Sequence, residues 1–435
     1  MRTWPVSKSS YSYMVVGILA LLAVGWRSNI SMFYHHLMNL YGIDSVTQVA
    51  AFVVISSGIG IFASSVFGAL YDKKGPSTLL VVGAIAQLAS GTLVLFMKSR
   101  PWSEAVWYWY LSAIAYGFVF SAVATSVNPA VISSLPSRPQ LAIAAAQSGS
   151  YMALALWSPI ITYLLTKTDP FYTFFTASLV TTSVTLLCAA AYRGIAPSKQ
   201  RALEVRSDPA SRRAYFTMLI PIFLVATSSI MVISYLAPII SEIYESSGVS
   251  SEEAMTVYTP AVIGVAGILQ TAGGFFWGFI ATRIGILKTV LALYVTQSAS
   301  SYAVSIVSHA SAWPAVLALL VRLFAFGGEP VVHMSIVPAL FGNKNVGKLV
   351  GLQISVVMLS SIVGPALGGL TRDVTKTYLS TVASSALLTT AAIAFLLVAS
   401  RVMRKYYLLK QLKQQRTQLG GSVSMSLSKT PNRGY

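Results

Sequence analysis

The chain has 435 residues, of which 55% are hydrophobic and only 10% charged. Soluble domains carry about 25% charged residues, so this composition lacks the polar surface that water demands and excludes an ordinary soluble domain. A formal net charge of +18 does not signal nucleic acid here, because the basic residues fall between apolar segments rather than on one basic face.

A hydrocarbon core takes about 20 apolar residues per helix. Segments of that kind run over 11–38, 46–71, 76–98, 105–135, 141–166 and 171–192, and then over 214–241, 254–282, 286–308, 313–341, 346–370 and 377–403. The first is too long for a signal-peptide core and lacks a small-residue cleavage site, so it is read as a span. Trp107, Tyr108, Trp109 and Tyr110 read as an aromatic belt at a membrane interface, and His35 and His36 as interfacial. Cys188 is the single cysteine, which excludes an internal disulfide and a CxxC metal or redox site. RGIAPSKQRALEVRSDPASRR (193–213) is the one long polar linker. The tail RKYYLLKQLKQQRTQL (404–419) is basic and amphipathic, suited to an anionic inner leaflet or to a solvated helix. Residues 420–435 are Ser/Gly-rich and expected to be disordered.

The expected fold is an all-α integral membrane protein of twelve transmembrane helices in two pseudo-symmetric six-helix bundles. Residues 1–192 form the first bundle, 193–213 the linker, 214–403 the second bundle and 404–435 a basic tail. With both termini inside, 23 of the 30 Lys and Arg fall in cytoplasmic segments, as the positive-inside rule requires. A cell-membrane location is the expected one, as a monomer in the lipid bilayer.

The halves echo each other. GALYDKKG (68–75) matches GFIATRIG (278–285), Asn128-Pro129-Ala130 matches Val337-Pro338-Ala339, and Gln147 with Pro159 matches Gln353 with Pro365. Echoes at nearly constant offset indicate duplicated six-helix halves, the repeat logic of secondary transporters.

GALYDKKG resembles the signature loop of the major facilitator superfamily, through Gly68, Asp72, Lys73 and Gly75. The resemblance covers residues 11–403 and implies two bundles rocking about a central cavity, with the loop acting as a conformational gate. Gly68 is expected to let helices approach closely, and Asp72 to meet helix N-termini or a cytoplasmic Arg. The second copy keeps Arg283 and Gly285 but has Thr282 in place of the acid. GWRSNISMFYHHLMNLYGID (25–44) is similar to the monocarboxylate and oxalate/formate porters. That likeness puts Arg27 where those transporters hold a substrate-facing cation. The Asp-x-x-x-Arg pair of their eighth span is missing, and only Gln270 stands there.

Ionisable groups at membrane depth are costly and mark function. The spans hold Arg27, Arg322, Glu329 and His333, and spacings of seven and four put the last three on one helical face. The resemblance implies that spans 1, 4, 7 and 10 line the cavity, so Arg27 and Arg322 are expected to clamp a carboxylate from opposite bundles, with Asn128 as a further contact. Glu329, in a helix loosened by GGEP (327–330), is the expected proton carrier and His333 its relay. The bland alternatives are structural neutralisation of Glu329 by an arginine and a packing role for His333.

The sequence therefore points to a secondary transporter of small organic anions, monocarboxylate or dicarboxylate, coupled to protons or to a counter-anion. A proton-driven exporter of amphipathic drugs and a transporter-like receptor are the competing readings. No Walker loop, nucleophile–base pair or metal-ligand cluster is present, so no enzyme, cofactor or metal is expected.

Overall fold

The computed structural model describes residues 8–134, 139–193, 209–308, 311–341 and 346–402. Most of the linker (194–208) and the basic tail from 403 onward lie outside the described residues. Every regular element described is helical, which is what a bilayer permits, since only a helix satisfies its own backbone polar groups within one segment.

The first transit is broken. Helix α1 (Lys8–Val24) passes through a 3₁₀ turn, Gly25–Asn29, into α2 (Met32–Tyr41), and the two parts are bent by 41°. α3 (Val46–Lys74), α4 (Pro76–Leu95), α5 (Trp102–Ser134), α6 (Pro139–Lys167) and α7 (Pro170–Ala191) follow. The seventh transit is again broken, into α8 (Pro209–Ile233) and α9 (Leu236–Glu245). A short α10 (Ser251–Glu253) runs through a π turn into α11 (Thr259–Ile284), and α12 (Ile286–Val307), α13 (Ala312–Phe341), α14 (Val346–Thr375) and α15 (Leu379–Val402) complete the order. Ten of the described helices are long and apolar enough to cross a membrane, and the bent α1/α2 pair makes eleven. α6, at 29 residues, carries Gln147, Ser148, Ser150 and Ser158 and is the remaining, more polar transit.

Apolar side chains are not confined to the interior. Phe62, Leu187 and Ile306 are 76%, 71% and 73% exposed, and an apolar outer surface of this kind suits a lipid surround. Inside, small residues let helices close on one another: a Cβ on Gly117 of α5 would come 2.6 Å from the Ser56 carbonyl oxygen of α3.

The turns at 42–45, 96–101, 168–169, 246–250 and 376–378 lie on one face, called distal below. Gly75 and Gly285 lie on the opposite, terminal face. On the distal face Lys98 pairs with Asp169 at 3.0 Å, and this hydrogen bond raises the Lys98 ammonium above its ordinary range.

The duplicated motifs adopt matching backbone shapes. Gly75 joins α3 to α4 at φ 76°, ψ 179°, and Gly285 joins α11 to α12 at φ 86°, ψ 154°. Only glycine adopts this region without strain, which explains why both copies keep it. Pro159 and Pro365 likewise both sit inside their helices, α6 and α14. α4 packs on α5 and α7, and α1 on α5, α6 and α7. In the later part of the chain α13 packs on α11 and α12, and α8 on α14. Two extensive pairings, α3 with α14 and α6 with α11, join the earlier and later parts.

Candidate functional site

Arg27 is presented by the break in the first transit. Gly25 lies against α6, where an added Cβ would come 2.5 Å from Ala153 Cβ. Carbonyls at the end of α1 are held by side chains of other helices: Trp157 Nε1 donates to Leu22 at 3.1 Å and the Tyr116 hydroxyl to Val24 at 2.6 Å. Such side-chain support helps a broken helix to be tolerated at membrane depth.

From this turn the Arg27 guanidinium reaches α3, with Nη2 donating to Ser56 Oγ (2.7 Å), Ser57 Oγ (3.2 Å) and the Val53 carbonyl (3.3 Å). The rings of Tyr116 and Phe120 on α5 stand 5.6 and 5.8 Å from its carbon, close enough for cation–π attraction. No carboxylate among the described residues forms an ion pair with it. Nε and Nη1 make no hydrogen bond within the same set. Arg27 is thus a half-buried cation with one edge fixed and donors left over.

Arg322, Glu329 and His333 share one face of α13, as their spacing requires, and are 0%, 4% and 2% exposed. That face meets α8 and α12 within the later half of the chain. Arg322 donates through Nε to Ser301 Oγ (2.7 Å) and through Nη2 to the Ser228 carbonyl (3.0 Å) and hydroxyl (3.1 Å). Glu329 Oε2 accepts from Ser229 Oγ (2.6 Å) and Gln297 Nε2 (3.1 Å). His333 Nδ1 lies 3.9 Å from Glu329 Oε1, and its Nε2 shares a hydrogen bond of 2.8 Å with Tyr294.

No contact among the described residues joins Arg322 to Arg27. The Arg322 side chain is held by serines inside its own half, with Nη1 left without a partner among the described residues. Helical spacing tells which residues share a face but not which neighbour that face meets. Arg322 and Glu329 also form no direct ion pair, being two turns apart on α13. Ser228, Ser229, Tyr294, Gln297 and Ser301 were not singled out in the sequence. The run Thr227-Ser228-Ser229 and the isolated Gln297 in otherwise apolar helices are the signals that mark them. Asn128 is half-buried on α5, without a side-chain hydrogen bond among the described residues.

On the terminal face Lys73 and Arg283 are exposed, and Arg283 lies over the Phe279 ring at 5.0 Å. The Asp72 side chain lies outside what is described. At Gly68 the expected close approach is not made among the described residues, because nothing stands within 4 Å of where a Cβ would be.

A second cluster, at the distal end, joins the two parts of the chain. Asp373 of α14 accepts from Ser45 Oγ (2.9 Å) and Thr47 Oγ1 (2.5 Å) at the start of α3. A carboxylate at a helix N-terminus is favoured by the helix dipole. Arg372 donates to the Asp44 carbonyl at 2.7 Å and lies 5.3 Å from the Tyr378 ring centre. Burial pushes the Tyr378 phenol up to about 12, so it stays a neutral ring partner. Glu242 of α9 braces the clasp from behind, accepting from the Tyr378 amide (2.5 Å) and the Thr377 hydroxyl. Nearby, Ser31 Oγ accepts from the Ala237 amide (3.3 Å), and Ser158 Oγ donates to the Pro260 carbonyl (3.1 Å). Among the described residues, every hydrogen bond between the stretches before 193 and after 209 lies in the distal half.

Comparison with known proteins agrees with this architecture. The model of the Major Facilitator Superfamily matches residues 16–365 and again 222–420. An MFS-type transporter of Aspergillus fumigatus is 23% identical over 390 residues, covering 84% of this chain and 86% of that protein. A bacterial homolog of the human lysosomal transporter Spinster, inward-facing and occupied, superposes with a TM-score of 0.64 at 14% identity, over 93% of this chain and 99% of that one. The Escherichia coli xylose transporter XylE, in a partially occluded inward-open conformation, gives 0.68 at 13% identity, over 89% and 97%. Twelve helical transits, a duplicated glycine turn and a family match spanning most of the chain lead to one conclusion: this chain belongs to the major facilitator superfamily of membrane transporters.

Proposed function

We propose that this transporter carries small organic anions by alternating access, with Arg27 as the anion contact. The observation behind the reading is the state of Arg27: at membrane depth, flanked by aromatic rings, with donors left over and no carboxylate partner among the described residues. An unneutralised guanidinium is expensive there, and a planar anion such as a carboxylate satisfies it in the bidentate manner that the fork favours. Glu329 is assigned the proton, with His333 and Tyr294 extending its network. Arg322 acts on that carboxylate through the field inside the later half rather than by touching the substrate. Asn128 is a further candidate contact nearer the terminal face. Coupling is to protons or to a counter-anion.

The terminal face is assigned to the cytoplasm of a cell membrane, with residues 1–192 and 214–403 as the two rocking halves. The distal clasp is then the closed outer gate, and the conformation is inward-open. Gly68, Asp72, Lys73 and Gly75, with Arg283 and Gly285 in the second copy, take the part of the inner gate. Counterflow of labelled carboxylates in proteoliposomes, with and without an imposed proton gradient, tests the reading. Uptake that is stimulated by internal anion and lost in Arg27→Gln supports it. Counterflow indifferent to Arg27 refutes it.

A further inference from the structure

We propose that Tyr151 and Gln270 form a neutral polar subsite that takes a hydroxyl or carbonyl group of the transported compound, so that the cargo is a monoanion with a second, uncharged polar end. The inference rests on the anion reading of Arg27 and narrows it.

Gln270 of α11 is 1% exposed, and both its amide oxygen and its amide nitrogen are without partners among the described residues. Tyr151 of α6 is 7% exposed, and its hydroxyl is equally unpartnered. A buried polar group left unpaired is costly, and native interiors contain few of them. Gln270 and Tyr151 contribute three such atoms where the two halves touch at mid-membrane depth.

Close approaches on the backbone place both residues at the seam of α6, α11 and α13. A Cβ on Gly267 of α11 would come 2.5 Å from the Tyr151 carbonyl oxygen of α6, and one on Gly327 of α13 would sit 2.6 Å from Gln270 Cα. Gln270 therefore lies where α11 meets α13, three residues beyond the contact of Gly267 with α6. The Tyr151 ring crosses the same seam, 6.2 Å from the Phe326 ring of α13. One residue beyond Tyr151 towards α1, Ser150 packs on Gly25, whose turn also carries Arg27. All these positions are near the middle of their transits, at the depth of the Arg27 turn.

The chemistry of the pair sets the ligand class. A primary amide and a phenol each donate and accept, so together they suit a hydroxyl or a carbonyl. Neither carries charge, and Glu329 of α13 is near enough to act on Tyr151 electrostatically. A second carboxylate on the substrate would meet no cation here and a negative neighbour whenever Glu329 is ionised. The subsite thus selects against dianions.

The test is calorimetric binding of hexanoate, 6-hydroxyhexanoate and adipate to the full chain in nanodiscs. Two net hydrogen bonds of about 0.5–1.5 kcal/mol each give the hydroxy acid about a tenfold advantage over hexanoate, with adipate weakest. In Gln270→Leu and Tyr151→Phe the ratio of the first two falls towards one. In Arg27→Gln both weaken and their ratio persists. If Gln270→Leu does not fold, Tyr151→Phe, which removes a single oxygen, carries the comparison. Equal affinities for hexanoate and 6-hydroxyhexanoate in the wild type, both dependent on Arg27, overturn the subsite and leave the anion reading standing. If neither anion binds, the anion reading fails, and 1,6-hexanediol against hexan-1-ol decides the subsite. A Gln270-dependent preference for the diol retains it, and no preference overturns it.

Discussion

Asp373 offers the sharpest test of how the conformational equilibrium is held. Its carboxylate is the only acidic group among the described residues that bonds across the distal seam, accepting from Ser45 at 2.9 Å and Thr47 at 2.5 Å. Hydrogen bonds to charged groups contribute about 1.5–3 kcal/mol each when well buried. The side chain is 23% exposed, so solvent screening reduces that figure. Asp373→Asn keeps one acceptor oxygen and removes the charge, so the distal-closed state should lose about 1–2 kcal/mol, a shift of about 5- to 30-fold toward the distal-open state. Spin labels at the exposed Ser103 and Glu252, in a Cys188→Ser background, report the separation of the two parts by double electron–electron resonance. The variant should populate a longer distance that is rare in the parent. Thr47→Val should act in the same direction, and the double variant by less than the sum, because both changes remove one shared bond. A distance distribution unchanged by Asp373→Asn, or strict additivity with Thr47→Val, would refute the assignment of the clasp as a gate.

Three further outcomes are expected. Asp72→Asn should slow initial uptake in vesicles far more than Thr282→Ala, because only the first copy of the turn keeps its acid; equal effects would remove the asymmetry. Glu329→Gln should abolish proton-driven accumulation yet spare anion exchange, which moves no net proton. If the single variant misfolds and joint removal of Arg322 and Glu329 restores both folding and transport, the carboxylate is structural. Gly273→Ala should lower thermal stability by about 1–3 kcal/mol, since the added methyl falls on the Phe324 carbonyl of α13; an unchanged melting temperature in detergent would show that the α11–α13 crossing gives way freely.

Much of the fold was legible because a bilayer imposes coarse rules on sequence: span length, loop charge and duplicated glycine turns each left a countable trace. The break at Gly25–Asn29 was not legible as a break: Gly, Arg, Ser and Asn mark the stretch as polar but do not say that the helix is interrupted there, and its support comes from Trp157 and Tyr116 on other helices. The grouping of Arg322, Glu329 and His333 followed from periodicity. Their direction did not, because which helix faces them is decided by packing among segments up to 100 residues away, as with Ser229 and Glu329. Arg372 and Asp373 read as loop charges at the end of a span. Nothing local announces that their partners lie more than 300 residues earlier, at Asp44, Ser45 and Thr47.

The two broken transits carry a mechanical consequence. α2 and α9 are ten-residue arms set off from their spans by the 3₁₀ turn Gly25–Asn29 and by Ser234-Tyr235. They meet each other through the Tyr34 and Tyr235 rings, 6.0 Å apart, and through Ser31 and Ala237. Short levers on pre-cut hinges can swing without dragging the full length of their helices through lipid. On the proposed reading of two rocking halves, such hinges would uncouple motion at the distal mouth in part from the slower rocking. A substrate could be sealed off or released by local bending on a faster timescale than the global transition, and viscosity or thickness of the bilayer would then slow the second movement more than the first.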